Sequence, residues 1–251
     1  MNASLLARRR PRRDSVALEA PAGKVAQHGR VWFFDLDDTL HDASHAILGT
    51  IDRRMTDYVV RHLEVDEAEA NQLRMTYWRR YGATMLGLMR HHAVDPHHFL
   101  RETHDFDFVG MVRAERGLAR LFARLPGRKV LLTNAPDLYA RRIVRELALH
   151  RHLGAQYAVE RMKVHGILRP KPSVAMLRHI LAREGLAGRR NAGRAVLVED
   201  SVANLKAARA TGFRTVLVTR HRIDGARGGG AYVDVRLASV QQLPRAMHLV
   251  R

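Results

Sequence analysis

Four short apolar runs, each four or five residues long, limit what this chain can become. "VWFF" covers residues 31–34, "KVLLT" 129–133, "RAVLV" 194–198 and "RTVLV" 214–218. Uninterrupted runs of this length suit strands buried on both faces. Between them the spacing turns helical. "PDLYARRIVRELALH" sets Leu138, Val144 and Leu147 along one face, and "SVAMLRHILAREG" does the same with Val174, Leu177 and Leu181. Ser173 and Gly185 stand where an N-cap and a C-cap belong, and Ser201 opens a further helix that closes at Gly212. Strands alternating with helices specify a parallel sheet covered on both sides, a Rossmann-like three-layer α/β core.

Residues 43–113 break the alternation. Ile47, Ile51, Met55 and Val59 recur every four residues, a second helix starts at Asp66 and runs through "NQLRMTYWRRYG", and Asp95-Pro96 opens a third. The expected organisation is a basic tail over residues 1–28, an α/β core from 29–42 and 114–251, and an inserted small helical cap over 43–113. The tail joins "ARRRPRRDS" to "ALEAPAG". No apolar segment follows its charge, so it reads as a disordered extension and not a signal peptide.

The formal net charge is +18, which raises nucleic-acid binding through the tail as a non-enzymatic rival. Arginine is spread through the predicted helices, and no zinc-finger or RNA-recognition motif accompanies it; nucleic acid is disfavoured as a partner. With no cysteine, disulfides, thiolate metal ligands and a cysteine nucleophile are excluded. That fits a cytoplasmic setting. No apolar stretch reaches the roughly 18 residues that a membrane span requires. Oligomeric state is not legible.

The runs end in chemically capable residues: "DLDD", "TNA" and "EDS". Ligands of parallel sheets bind beyond the carboxyl ends of the strands, so these ends should converge on one site. Asp35 and Asp37, two positions apart, can project to the same side if the extended geometry persists. Asp200, with Glu199 as a further candidate, adds charge from another strand. Such a cluster is costly without a cation, and oxygen-only donors suit Mg2+. Carboxylates and magnesium point to phosphoryl chemistry: one carboxylate attacks phosphorus, and a second moves the protons. Thr133 and Asn134 offer donors for the phosphate, and Lys171 in "RPKPS" offers a cation.

Taken together, "DLDDT", "LLTNA", "KPS" and "VEDSVANLKAA" resemble, in order, the four motifs of the haloacid dehalogenase superfamily of phosphatases, over about residues 31–220. The resemblance implies Asp35 as nucleophile and Asp37 as acid/base. It implies Thr133, Asn134 and Lys171 at the phosphate, with the metal held by Asp35, Asp200 and the main-chain carbonyl of Asp37. Asn204 departs from the pattern, since many members carry a second aspartate there. "FFDLDDTLHDA", "LLTNAPDLYARRI" and the helical cap resemble the pyrimidine 5′-nucleotidase branch more closely. This implies a small-molecule phosphate ester as partner, a pyrimidine nucleoside 5′-monophosphate first. The alternatives are a phosphatase of a sugar phosphate or phosphoglycolate, or a phosphomutase. A dehalogenase is disfavoured, because it needs neither an acid/base at Asp37 nor magnesium.

Tyr77 and Tyr81 share a helix face, with Trp78 turned aside; either they pack the cap's core or one ring approaches a nucleobase. His91, His92, His97 and His98 lack zinc-site spacing. The glycines near 225–230 read as a surface loop.

Overall fold

The computed structural model describes residues 29–219 and 230–249. The basic tail and most of the glycine-rich loop lie outside them. All four residues of β1 (Val31–Phe34) are buried, and their alternation builds the core. Trp32 and Phe34 enter one apolar cluster with Phe122, Tyr139 and Ile143. Val31 and Phe33 enter another with Met176, Ile180, Leu205 and Phe213. A strand that is apolar on both faces forces helices onto both sides of its sheet.

After β1 come α1 (Ile47–Leu63), α2 (Glu67–Tyr81), α3 (Thr84–His92) and α4 (Pro96–His104). Then follow α5 (Leu118–Arg124), β2 (Arg128–Leu132), α6 (Asp137–Glu146), β3 (Ala155–Tyr157) and the antiparallel pair β4 (Lys163–Val164) and β5 (Ile167–Leu168). The chain continues through α7 (Val174–Arg183), α8 (Arg189–Ala192), β6 (Ala195–Glu199), α9 (Val202–Arg209), β7 (Arg214–Val218), β8 (Val235–Leu237) and α10 (Leu243–Ala246). The main sheet has six strands in the order β3-β2-β1-β6-β7-β8, all parallel. Its path departs from β1 first towards β3, then towards β8. β1 is therefore the switch point, the place beyond whose carboxyl end sheets of this kind bind ligands.

The helices α1–α4, called the cap below, gather a third apolar cluster around Tyr58, Tyr77, Leu88 and Phe99. Asp66 caps α2 by accepting from the Glu69 N–H at 2.8 Å. Asp95 caps α4 by accepting from the N–H groups of His97 and His98. Among the described residues no helix is long and apolar enough to cross a membrane.

Some expectations fail in detail. Leu138 is exposed, and α6 buries Tyr139, Ala140, Ile143 and Val144 instead. Ser173 caps α7 through its side chain, but Ser201 makes no side-chain capping bond to α9. Several short elements had no expectation at all, among them α3, α5 and α8, and the strands β3 and β8, three residues each and too short for a readable period.

Candidate active site

The ends of β1, β2 and β6 meet as the parallel register requires. Phe34 pairs with Leu131 on one side and Val198 on the other, so Asp35, Thr133 and the Glu199–Asp200 pair emerge together. The Asp35 N–H donates to the Val198 carbonyl at 3.0 Å, and the Thr133 N–H to the Tyr157 carbonyl at 3.0 Å. Ladder bonds thus carry on past the strands and fix the first site residues.

Lys171, buried ahead of α7, donates from Nζ to Asp35 Oδ1 at 2.7 Å and to Glu199 Oε2 at 2.7 Å. Burial works against its ammonium, but the two carboxylates outweigh that and raise its pKa. Asp35, Glu199 and Asp200 bring one carboxylate oxygen each within 4.8 Å of one another. Burial raises the pKa of Asp35, and the Glu199 charge adds to it. Burial, reinforced by Asp35, pushes Asp200 up to about 6. Three carboxylates opposed by one ammonium leave an excess of negative charge.

Glu199 is the most committed of the three. Its second oxygen accepts from the Ser201 N–H at 3.2 Å. Asp200 accepts from the Thr39 hydroxyl at a long 3.4 Å and has Glu199 beside it. Asn134 is committed too: its amide donates to the Lys171 carbonyl at 3.0 Å and accepts from the Lys171 N–H at 2.9 Å. Its side chain therefore holds the lysine segment in place and keeps a second amide hydrogen to give. Thr133 Oγ1 accepts from the Ala135 N–H at 3.0 Å, which leaves its own hydroxyl proton to give.

Asp37 does not stand beside Asp35 as an extended strand would place it. The chain coils after Leu36, where the Leu40 N–H donates to the Leu36 carbonyl at 2.9 Å, and Asp38 adopts a φ of 55°. The Asp37 carboxylate is turned to other partners. Tyr139 donates its phenol to Oδ1 at 2.7 Å, and His41 Nε2 lies 2.9 Å from that same oxygen. Burial alone would raise this carboxyl; the His41 hydrogen bond, helped by Tyr139, brings it below the usual range. The carboxylate is not one of the three grouped oxygens, which leaves the main-chain carbonyl as the group through which Asp37 could ligate a metal.

Residues 30–212 match the family of haloacid dehalogenase-like hydrolases. The chain belongs to that family. Solved structures of similar fold cover most of it at low identity. An HAD phosphatase from Thermococcus onnurineus is 16% identical, with a TM-score of 0.59, over 87% of this chain and 97% of its own. A HAD-hydrolase of Bacillus subtilis bound to magnesium, YfnB, is 13% identical, with a TM-score of 0.57, over 88% and 100%. The L-2-haloacid dehalogenase of Xanthobacter autotrophicus, with chloropropionic acid covalently bound, is 14% identical, with a TM-score of 0.53, over 88% and 99%. One family fold thus carries at least two leaving-group chemistries, and only the side chains of the site can decide between them.

In this haloacid dehalogenase-like hydrolase, the cap meets the site at the end of α2. A Cβ added to Gly82 would stand 3.5 Å from Pro172 Cδ and 3.9 Å from the Lys171 carbonyl oxygen. Tyr81 is the residue before. Its hydroxyl meets His91 Nε2 at 2.6 Å, and Arg80 and Arg90 lie against its ring. Tyr77 is buried in the cap's apolar cluster with its hydroxyl on His92 Nε2 at 2.6 Å, so that ring packs the cap. His98 meets the Tyr58 hydroxyl and Glu102.

Sequence reasoning missed His41, Tyr139 and His104 around Asp37. His104, the last residue of α4, is buried edge-on to the Tyr139 ring at 5.8 Å. Burial lowers its pKa to about 4. His41 had one signal, a titratable residue four positions after Asp37 in "DLDDTLH". Tyr139 and His104 had none, because their meeting depends on how α4 and α6 pack.

Proposed function

We propose that this hydrolase is a magnesium-dependent phosphomonoesterase of the cytoplasm, acting through an aspartyl-phosphate on Asp35. Its proposed substrates are nucleoside 5′-monophosphates, pyrimidines ahead of purines. The observation that carries the phosphatase reading is the Asp37 carboxylate, fixed two residues beyond the nucleophile by Tyr139 and His41. Displacing a halide needs no proton donor there; expelling an alkoxide does.

The donor set fits Mg2+: it is all oxygen, and it carries more negative charge than Lys171 can balance. Asp35, Asp200 and the Asp37 carbonyl would hold the ion, while Glu199 serves Lys171. Bound there, the ion shields the attacking carboxylate from the anionic phosphate. An Asp35 oxygen forms its bond to phosphorus as the ester P–O bond breaks, and Asp37, acting in its protonated form, gives its proton to the departing oxygen. Asp37 then takes a proton from a water molecule whose oxygen attacks phosphorus. The Asp35–phosphorus bond breaks, and phosphate leaves. Lys171 and the Thr133 hydroxyl draw charge from the phosphoryl oxygens.

For the substrate, the support is the nucleotidase-like sequence and the place of Tyr81 in the chain, next to Gly82, which lies against the lysine segment. A phosphate-release panel of nucleotides, sugar phosphates, phosphoglycolate and 4-nitrophenyl phosphate tests the whole reading. Pyrimidine monophosphates should lead, chelation should stop turnover, and magnesium should restore it. Asp200→Ala should raise the magnesium requirement by about tenfold or more. Undiminished release in excess chelator would refute the metal. A sugar phosphate ahead of every nucleotide would refute the substrate class.

A further inference from the structure

The surroundings of Asp37 are more elaborate than its proton shuttle alone demands. Two donors converge on a single oxygen: the Tyr139 phenol at 2.7 Å and His41 Nε2 at 2.9 Å, both on Oδ1. They come from different parts of the chain, Tyr139 from α6 beyond β2 and His41 from the turn after β1. Neither is open to substrate, since Tyr139 is 1% exposed and His41 0%. Neither therefore counts as a catalytic residue.

The tautomer of His41 follows from its burial. Its Nδ1 is buried and has no hydrogen-bond partner among the described residues. A bare lone pair tolerates that better than an N–H would, so the hydrogen sits on Nε2 and points at Asp37. Tyr139 is fixed in turn by its ring, which meets Phe108 and His104 edge-on at 5.6 and 5.8 Å. Phe108 lies in the segment that returns from the cap to the core, and His104 closes the cap's last helix. The phenol is thus wedged between α6 and the cap's exit.

Resting on the phosphatase reading above, we propose that Tyr139 and His41 are positioning residues. By occupying Asp37 Oδ1 together, they fix the carboxylate rotamer and leave Oδ2 as the oxygen that passes the proton to the leaving alcohol and later takes one from water. A carboxylate held by one donor can turn about its terminal torsion, which is broad for Asp. Two donors arriving from separate elements remove that freedom. Misplacement by about an ångström at such a group costs on the order of a hundredfold in rate.

The test compares Tyr139→Phe, which keeps the ring and its packing, with His41→Leu and His41→Gln. It uses an alkyl phosphate, uridine 5′-monophosphate, and an aryl one, 4-nitrophenyl phosphate, whose phenolate departs without a proton. The readout is kcat/KM, which covers steps up to departure of the alcohol. Tyr139→Phe should lower it on the nucleotide by about tenfold or more and on the aryl ester by less than about threefold. His41→Leu should behave alike, and His41→Gln, which can still reach Oδ1 with an amide N–H, should recover part of the loss. Equal losses on both esters, or no loss on either, would overturn the assignment. If the unmutated enzyme releases phosphate from neither ester, the phosphatase reading falls on its own. Crystals of Tyr139→Phe then decide the positioning: a carboxylate turned from its wild-type rotamer supports it, and an unmoved one overturns it.

Discussion

Where the core crowds Asp35, Glu199 and Asp200 around Lys171, the cap sets three hydroxyls against imidazoles. Tyr58 meets His98, Tyr77 meets His92, and Tyr81 meets His91. A cluster of like charges is costly to fold and is kept for chemistry; a hydroxyl matched to an imidazole costs little and mainly fixes packing. The difference divides the labour. On the proposed function, bond breaking falls to the strand ends of the core, and the cap approaches the lysine segment where Gly82 faces Pro172.

The sharpest way to break this division is at Asp35. Asp35→Asn should lower turnover on every ester by more than about a thousandfold, because an amide cannot form the acyl phosphate. Its melting temperature should stay level or rise, since the change relieves a carboxylate raised by burial and by Glu199. Residual turnover close to wild type would place the nucleophile elsewhere.

The counterpart in the cap is Gly87, which packs directly on a ring. A Cβ there would fall 2.1 Å from Tyr77 Cγ, an overlap that the ring can relieve only by moving. Alanine gains up to about 1 kcal/mol of helix propensity over glycine, but overpacking costs about 1–3 kcal/mol, so the sum should be destabilising. Denaturant unfolding of Gly87→Ala measures it. A variant as stable as wild type would show a cap looser than its apolar cluster implies.

A smaller effect should separate shape from chemistry. Tyr81→Leu keeps apolar bulk and removes the ring. If the ring reads the base, nucleotide turnover should fall by about fivefold to tenfold, within the roughly 1–3 kcal/mol that stacking supplies. Turnover of 4-nitrophenyl phosphate should hold. Equal loss on both, with lowered stability, would assign Tyr81 to cap packing beside Tyr77.

The smallest effect concerns the seam between the two regions. Burial first of all lowers the His104 pKa to about 4 from 6.5. The unfolded chain therefore binds more protons between those values, and stability conferred by the uncharged ring is present above pH 6.5 and declines as pH falls towards 4. Between pH 7 and 6 the loss should be under about 1 kcal/mol. The pH slope of unfolding should flatten in His104→Gln; an unchanged slope would remove His104 from the account.

Much of the core was readable because its signals are local. The apolar runs at 31–34 and 214–218 coincide with β1 and β7, and those at 129–133 and 194–198 overlap β2 and β6 to within a residue at each end. Each is continuous because a parallel strand is covered on both faces. Asp66 and Asp95 announce their helices because a cap is a contact within three residues. The edge strands β3 and β8 stayed hidden, for three residues carry no period and pairing with β2 and β7 makes them strands.

The candidate site divides in the same way. The sequence by itself determined that Asp35, Thr133, Lys171 and Asp200 would gather at one end of the sheet, because each follows or precedes an element whose place in the fold is fixed by its pattern. Only the tertiary structure decided which atoms are already engaged. It ties the Asn134 amide to the Lys171 backbone, closes Glu199 onto Lys171 and Ser201, and turns Asp37 towards Tyr139, 102 positions away along the chain. A hydrogen bond between residues that distant depends on how α6 and the cap's last helix pack against the turn after β1. No periodicity or spacing encodes that packing.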